Sequence, residues 1–435
     1  MATNDYARWF RGSTPYISAH RNKTFVILLT SEALQHVNLT NIIHDLALLH
    51  VLGVKLVVVH GARMQIDAHK ERIAAQFHKD LRITDSNGIV SIAEVNGAIR
   101  TRLEALFSTG LPNSPLHNVD IPVISGNFVI AQPVGIVDGI DHLFTGEVRK
   151  VEKTRIRSTL DAGGLLLQSP IGFSKSGQAF NLPAESLAAE IAIQIRADKL
   201  IVLDDFVVTD DSDTRISTFT PATLDQIAGT HRPHQARRLN AMSRAVRGGV
   251  AKSHLIDFAE DGALLAELFT ADGIGTQVVE RARRPIRPAQ IDDVAGIIEV
   301  IRPLEEAGVL VRRERDRLEQ EIDNFLIAEL DGIIVGCCAI YPYGNQGELA
   351  CVAVHENYRG QTGVRAMGVG KQLLSVAQDM ARQRGLTELF VLTTQTQEWF
   401  KEQGFKHADV QTLPESKQSL YNWQRNSVVL TKSIE

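Results

Sequence analysis

Cysteine is scarce in this 435-residue chain. Cys337, Cys338 and Cys351 are the whole set, and none stands at metal-ligand spacing. So few thiols argue against a disulfide framework and fit a reducing, cytoplasmic compartment with no bound metal. No stretch approaches the ~18 consecutive apolar residues that a membrane span requires. The first ten residues, Met-Ala-Thr-Asn-Asp-Tyr-Ala-Arg-Trp-Phe, lack the apolar core of a secretory signal. Basic charge is not in excess either. The net charge is −5, which argues against nucleic acid as the main partner. There is no internal repeat or low-complexity tract. What is present is an ordinary globular composition, 44% hydrophobic and 22% charged. The chain is too long for one core, since single cores stop growing near ~250–300 residues.

The chain divides at residues 281–288, Arg-Ala-Arg-Arg-Pro-Ile-Arg-Pro. Its prolines forbid helix continuation, and its arginines read as a solvated edge. That gives domains at 1–280 and 289–435 with a linker between. In the first, apolar strands at 24–29, 54–60 and 199–204, and a strand–turn–strand within 121–131, alternate with helices near 38–51, 64–77, 91–107 and 184–195. Continuous Val/Ile/Leu runs between helices imply an α/β fold with a mostly parallel sheet covered on both faces. The second opens with helices near 288–302 and 314–324, then strands at 325–330, 333–341 and 348–354. A helix over 371–383, a strand at 386–394, a short helix at 396–403 and a last strand from 427 follow.

Between that third strand and its helix lies Arg365-Ala-Met-Gly-Val-Gly-Lys, the most informative run in the chain. A strand, a loop with two glycines two apart and a helix opening make an anion cradle. Glycine lets the backbone approach closely, and the first helical N–H groups are unsatisfied and carry positive partial charge. Such a site suits a pyrophosphate. Lys371 reads equally as a phosphate contact or as a surface helix residue.

The spacing Arg365-x-x-Gly368-x-Gly370 and the order of elements around it resemble the GNAT acetyltransferase superfamily over roughly 145 residues. The resemblance implies acetyl-coenzyme A as co-substrate, held by Val352, Val354, Arg365, Met367, Gly368, Val369, Gly370 and Lys371. The reaction would be attack of an amine on a thioester, and an ammonium must first lose a proton. Glu348, opening the strand beside the donor, is the best-placed carboxylate, and burial there is expected to raise its pKa. Tyr421 serves either as the acid for the leaving thiolate or as a sheet-edge tyrosine. Cys351 reads as a packed thiol on the strand face opposite Glu348 and Val352, unless a bulge intervenes. The guanidinium cluster around Arg312-Arg-Glu-Arg-Asp-Arg, with Arg425, suits a dicarboxylate acceptor, although surface ion pairing accounts for most of those arginines.

Longer segments narrow the resemblance. Ile301-Arg-Pro-Leu-Glu-Glu-Ala-Gly, Gly347-Glu-Leu-Ala-Cys-Val-Ala-Val, Trp399-Phe-Lys-Glu-Gln-Gly-Phe and Leu413-Pro-Glu-Ser-Lys all resemble the bacterial N-acetylglutamate synthases. So do Val57-Val-Val-His-Gly-Ala and Val123-Ile-Ser-Gly-Asn-Phe in the first half, which is amino-acid-kinase-like. The resemblance implies acetyl transfer to the amine of L-glutamate, with Arg313, Thr393 and Arg425 holding the acceptor. It also implies feedback inhibition by L-arginine at Tyr16, Lys199, Glu267, Gly273 and Gly275, and a homo-hexamer. Kinase chemistry is not expected of the first half. Leu28 stands where such kinases place a lysine, Thr30-Ser31 replace paired glycines, and Glu32 adds negative charge. The two rival readings are an acetylglutamate kinase with a degenerate acetyltransferase tail and a non-catalytic sensor of arginine and acetyl-coenzyme A.

Overall fold

A computed structural model describes residues 13–69, 73, 76–109, 116–209, 215–270, 273–280, 286–330, 333–358, 368–418 and 427–434. The chain forms two compact units, Met1–Ala282 and Arg283–Glu435.

The first unit is built on an eight-stranded sheet. Its order is Thr218–Phe219, Thr276–Val279, Lys252–Asp257, Lys199–Asp204, Thr24–Leu29, Lys55–His60, Leu165–Gln168 and Val123–Ile124. Every neighbouring pair is parallel except Lys252–Asp257 with Thr276–Val279. The reason lies in the unbroken apolar runs. Val26 and Leu28 enter one core with Leu187 and Ala188, while Phe25, Ile27 and Leu29 enter the other with Ile42 and Leu46. A strand buried on both faces needs a helical layer on each, and parallel crossovers supply it. Four short strands, Ala179–Asn181, Ile171–Phe173, Val129–Pro133 and Gly146–Val151, make a second sheet.

Two elements differ from the sequence reading. The helix expected over 64–77 is Arg63–Asp67, and Phe77–His78 is already a strand. The helix expected from 91 begins at Ser86, because Asp85 caps it by accepting the Gly88 N–H at 2.6 Å.

On the helix Leu39–Val51, Asp45 faces Asp261. Burial, and after it the charge of Asp261, push its carboxyl up to about 7. A carboxyl raised above its unfolded value of ~3.9 gives its full stability below that value and loses it as pH rises through the folded pKa. Asp45→Asn is therefore expected to stabilise the protein by about 1–2 kcal/mol at pH 8 and hardly at all at pH 4. Thermal unfolding at the two pH values measures this.

The second unit holds a seven-stranded sheet in the order Ile286–Pro288, Phe325–Leu330, Ile333–Tyr343, Gln346–Val354, Glu388–Thr393, Val428–Ser433 and Lys406–His407. Ile286–Pro288, read from sequence as the end of a linker, is an edge strand paired with Phe325–Leu330. Proline is tolerated at that edge because no further strand needs its missing N–H. The helix Val294–Glu306 packs on one sheet face through Val294, Ile297 and Ile301, against Cys337 and Ala339. The helix Val369–Gln383 lies against Gly336, where a β-carbon would meet Leu373 at 3.0 Å and Val369 at 3.1 Å.

Candidate active site

Gln346–Val354 and Glu388–Thr393 are parallel neighbours, but they pair only from Gln346↔Glu388 to Glu348↔Phe390. Past that rung they part, while each keeps its outer neighbour, Ile333–Tyr343 or Val428–Ser433. A parted edge turns backbone N–H and C=O groups toward the gap instead of a partner strand. The gap opens into a cavity of about 760 Å³. Leu349 to Val352 and Val354 form one wall and Val391 to Thr393 the other, with Gly368 to Lys371 and Trp399 also lining it.

A bulge shapes the first wall. Ala350 pairs with Ala339 and Ala353 with Cys337, so Cys351 and Val352 together oppose Cys338. Cys351 adopts φ +50°, a left-handed conformation that costs a non-glycine residue about 1–2 kcal/mol. The strict alternation expected from sequence therefore fails here, and Cys351 and Val352 both line the cavity. Burial pushes the Cys351 thiol up to about 11 against the opposing pull of Arg313. It is a packed thiol, poorly suited to act as a nucleophile.

The helix Val369–Gln383 buries Val369, Leu373, Leu374, Ala377 and Ala381 on one face and starts at the cavity. Gly368 precedes it at φ +53°, and no side chain caps its first turn. The first intrahelical bond runs from the Gln372 N–H to the Gly368 carbonyl at 2.9 Å. The amides of Val369, Gly370 and Lys371 thus stand ahead of the ladder, at a positive helix end. A β-carbon on Gly370 would lie 3.2 Å from Trp399 Cζ2 and 3.8 Å from Val354 Cγ2, so glycine keeps this floor open. Lys371 is exposed and lines the cavity. Arg365 and Met367 lie outside the described residues.

Glu348 occupies the last paired rung, just before the cavity wall begins, and is 9% exposed. Its surroundings are not purely apolar, as the sequence reading had them. Lys417 Nζ stands 2.5 Å from its Oε2 and 5.4 Å from the centre of the Tyr343 ring. Burial works against the Lys417 ammonium, but Glu348 and Tyr343 more than compensate and raise its pKa. Sequence reasoning quoted the segment that ends in Lys417 and gave that residue no role; no spacing rule connects positions 348 and 417. Tyr421 lies outside the described residues.

Thr393 lines the cavity, and its Oγ1 accepts the Thr396 N–H at 3.1 Å. Arg313 stands behind the wall, beside Cys351 and Tyr341, rather than in it. Its backbone N–H donates to Glu305 Oε1 at 2.9 Å, and its Nε is buried with no hydrogen-bond partner among the described residues. Burial opposes its charge, yet these neighbours raise its pKa further. Arg312, Arg315 and Arg317 pair with Glu314, Glu319 and Glu321 and are surface ion pairs. Arg425 lies outside the described residues.

In the first unit, Lys199, Glu267, Gly273 and Gly275 meet around a residue that sequence reasoning missed, His254. The His254 Nδ1–H donates to Glu267 Oε1 at 2.6 Å, which leaves Nε2 to accept from Lys199 Nζ at 3.4 Å. Glu267 Oε2 accepts the N–H groups of Ile274 at 2.8 Å and Gly275 at 2.7 Å. Burial would raise the Glu267 carboxyl, but these donors hold it below its usual value, while burial and Lys199 depress His254. The pair is an ionised carboxylate on a neutral imidazole. Glu267, expected to offer its charge to a guanidinium, is thus already engaged within the fold. The one signal for His254 was a histidine next to the apolar pair Leu255-Ile256 of the strand Lys252–Asp257. Tyr16 packs against the core that holds Leu268 and Phe269.

Leu28 is 2% exposed, buried at the end of its strand. Glu32 does not present a bare charge. Arg238 Nη2 binds it at 2.7 Å, and the same guanidinium binds the buried Asp204. Among the described residues, no group of three or more His, Cys, Asp or Glu side chains could hold a metal ion, and no helix is long and apolar enough to cross a membrane.

Residues 23–257 match the amino acid kinase family, and residues 321–407 match the acetyltransferase (GNAT) domain. An amino-acid acetyltransferase of Azotobacter vinelandii is 45% identical over 99% of this chain and 100% of its own length. One from Pectobacterium carotovorum is 43% identical over 99% of each. The crystal structure of N-acetylglutamate synthase from Neisseria gonorrhoeae with coenzyme A and L-arginine aligns with a TM-score of 0.87 at 33% identity, over 98% of this chain and 99% of that one. Its complex with coenzyme A and N-acetyl-glutamate aligns at 0.63 and 34%, over 99% of each chain.

Proposed function

Because this chain belongs to the amino-acid acetyltransferases, with an amino acid kinase family domain ahead of a GNAT domain, we propose that its acceptor is L-glutamate and its inhibitor L-arginine. It is an N-acetyltransferase, and acetyl-coenzyme A is its co-substrate. The observation that carries the donor site is the parted strand pair ending at an uncapped helix start, with no β-carbon at Gly370. The amides of Val369, Gly370 and Lys371 would hold the pyrophosphate, and the strand edge at Ala350 to Val352, parted from its parallel neighbour, would hold the pantetheine amides. When bound, the donor supplies a thioester carbon open to attack.

The chain's own groups do the rest. Glu348 takes the proton that the acceptor ammonium must lose. Arg313, with a buried Nε that lacks a described partner, is the cation for an acceptor carboxylate, joined by Arg425 and by Thr393 at the cavity wall. Tyr421 is the proposed acid for the leaving thiolate. The cluster of Lys199, His254, Glu267, Gly273 and Gly275 is the proposed arginine site, with Tyr16 beside it and the Glu267–His254 pair setting its charge. The first unit carries no phosphoryl transfer, since Leu28 offers no cation. A division at 1–280 and 289–435, read from the Arg/Pro run between them, a cytoplasmic location, read from the scarce thiols, and a homo-hexameric assembly, implied by the resemblance, belong to the same proposal.

One assay tests the reading: coenzyme A release with each common amino acid as acceptor, with and without arginine. Glutamate is expected to outpace every other acceptor by at least ~100-fold, the discrimination that a buried, carboxylate-matched site supplies. Arginine is expected to depress the glutamate rate. Comparable rates with aspartate or glutamine would overturn the acceptor assignment.

A further inference from the structure

Residues 409–418 strap the base of the parted strands. Gln346 Nε2 donates to the Thr412 carbonyl at 3.2 Å and to Glu388 Oε2 at 2.6 Å, which ties the strap to the first rung of the parallel pair. Gln418 Nε2 donates to the carbonyls of Gln411 at 3.0 Å and Leu413 at 2.7 Å and closes the strap on itself. Leu413, 3% exposed, packs with Phe390 and Val429. The short helix Glu415–Gln418 of this strap carries the Lys417 side chain. It meets Glu348 Oε2 at 2.5 Å over the Tyr343 ring, which lies 6.1 Å from Phe390. The two charged side chains are 21% and 11% exposed, so neither is a solvated surface group. A long lysine held by a strap, a ring and a carboxylate has given up rotamer freedom and water that a surface pair keeps.

We propose that Lys417 is a positioning residue for the deprotonation step: its ammonium fixes Glu348 through Oε2, with Oε1 turned to the acceptor amine or its relaying water. The inference rests on Glu348 being the base. In the step, the acceptor ammonium gives one proton to Oε1, the freed amine nitrogen bonds to the acetyl carbon, the C–S bond breaks, and coenzyme A leaves as the thiol with the second proton that the nitrogen sheds. Lys417 keeps its three protons throughout.

Among the described residues, the other groups around Glu348 do not duplicate this role. Its partner across the sheet is Tyr341, whose hydroxyl donates to Glu321 at 2.6 Å, and Cys351 follows on its own strand. Burial raises both well above neutral pH, so neither carries charge there. Arg313 lies against Cys351 and Tyr341, and on the far strand Glu348 faces Phe390. Among the described residues, Lys417 is the cation in direct contact with the carboxylate.

The test is the pH profile of kcat for the full-length enzyme with glutamate and acetyl-coenzyme A. Removing an opposite charge raises a carboxylate's pKa by one unit or more. Lys417→Met and Lys417→Gln are therefore expected to move the acid limb up by about one pH unit. They should lower kcat about tenfold on that limb, recover most of it at alkaline pH and leave the donor KM unchanged. Lys417→Arg is expected to keep the limb near that of the wild type. An unmoved limb in both neutral variants, or an equal loss at every pH, overturns the inference. Glu348→Gln separates the two levels. If it retains wild-type turnover, the base assignment itself falls; if it is nearly inactive while the Lys417 variants keep the limb, only the role of Lys417 falls.

Discussion

Glu348→Gln is expected to lower kcat by about 10²–10⁴-fold near neutral pH and to leave the affinity for acetyl-coenzyme A unchanged. The substitution keeps the shape of a residue that is 9% exposed at the last rung before the strands part, but removes its capacity to take a proton. The proposed donor cradle at Gly368 to Lys371 belongs to a different element, the start of Val369–Gln383, so donor binding has no reason to change. The loss should shrink as pH rises, because more of the acceptor then arrives as a neutral amine. Steady-state release of coenzyme A thiol from pH 6 to 10, with isothermal titration of the donor, reads both parts. Full turnover in the variant would remove Glu348 from the chemistry. A parallel loss of donor affinity would make it a structural residue of the wall.

Gly370→Val is expected to raise the donor KM by ~100-fold or more while the protein still folds. A β-carbon at this position stands 3.2 Å from Trp399 Cζ2 and 3.8 Å from Val354 Cγ2, so the added methyl groups occupy the floor on which the pyrophosphate would sit. Two phosphate contacts with helix-end amides, at about 1.5 kcal/mol each, account for a loss of that size. The fold is less affected. Gly370 lies in the first helical turn, where valine costs well under 1 kcal/mol relative to the best helix formers, and Trp399 is only partly buried and has room to shift. Substrate titrations and thermal unfolding together decide the matter. An unchanged KM would place the donor elsewhere. A lost fold would make Gly370 a packing residue only, and Gly368→Ala, which strains a left-handed residue without a clash, then carries the question.

Much of the molecule was legible in local sequence. The valine and leucine runs at 24–29, 55–60 and 199–204 announced a two-sided parallel sheet because period-2 side chains must bury on both faces when every position is apolar. Gly368 and Gly370 announced a helix start open at its first turn for an equally local reason: helix starts expose amides, and glycine leaves them accessible. Ser86 and Ile286–Pro288 were harder, since element ends depend on caps and edge pairings that weigh little in a hydrophobic pattern.

What composition and spacing determined by themselves was the α/β layering, the two-part chain and the glycine-opened helix start, each set by contacts within a few residues or by simple periodicity. What only tertiary structure decided was the company each functional group keeps. Cys351 and Val352 both border the cavity at a bulge that sets the two of them against Cys338. Lys417 reaches Glu348 because a strap is tied to Gln346. Glu267 spends its carboxylate on His254 and two amides instead of standing open. In each case the partner comes from a separate stretch of chain, and charge and hydrogen bonding act over a few ångströms of space, a distance that position along the chain does not encode.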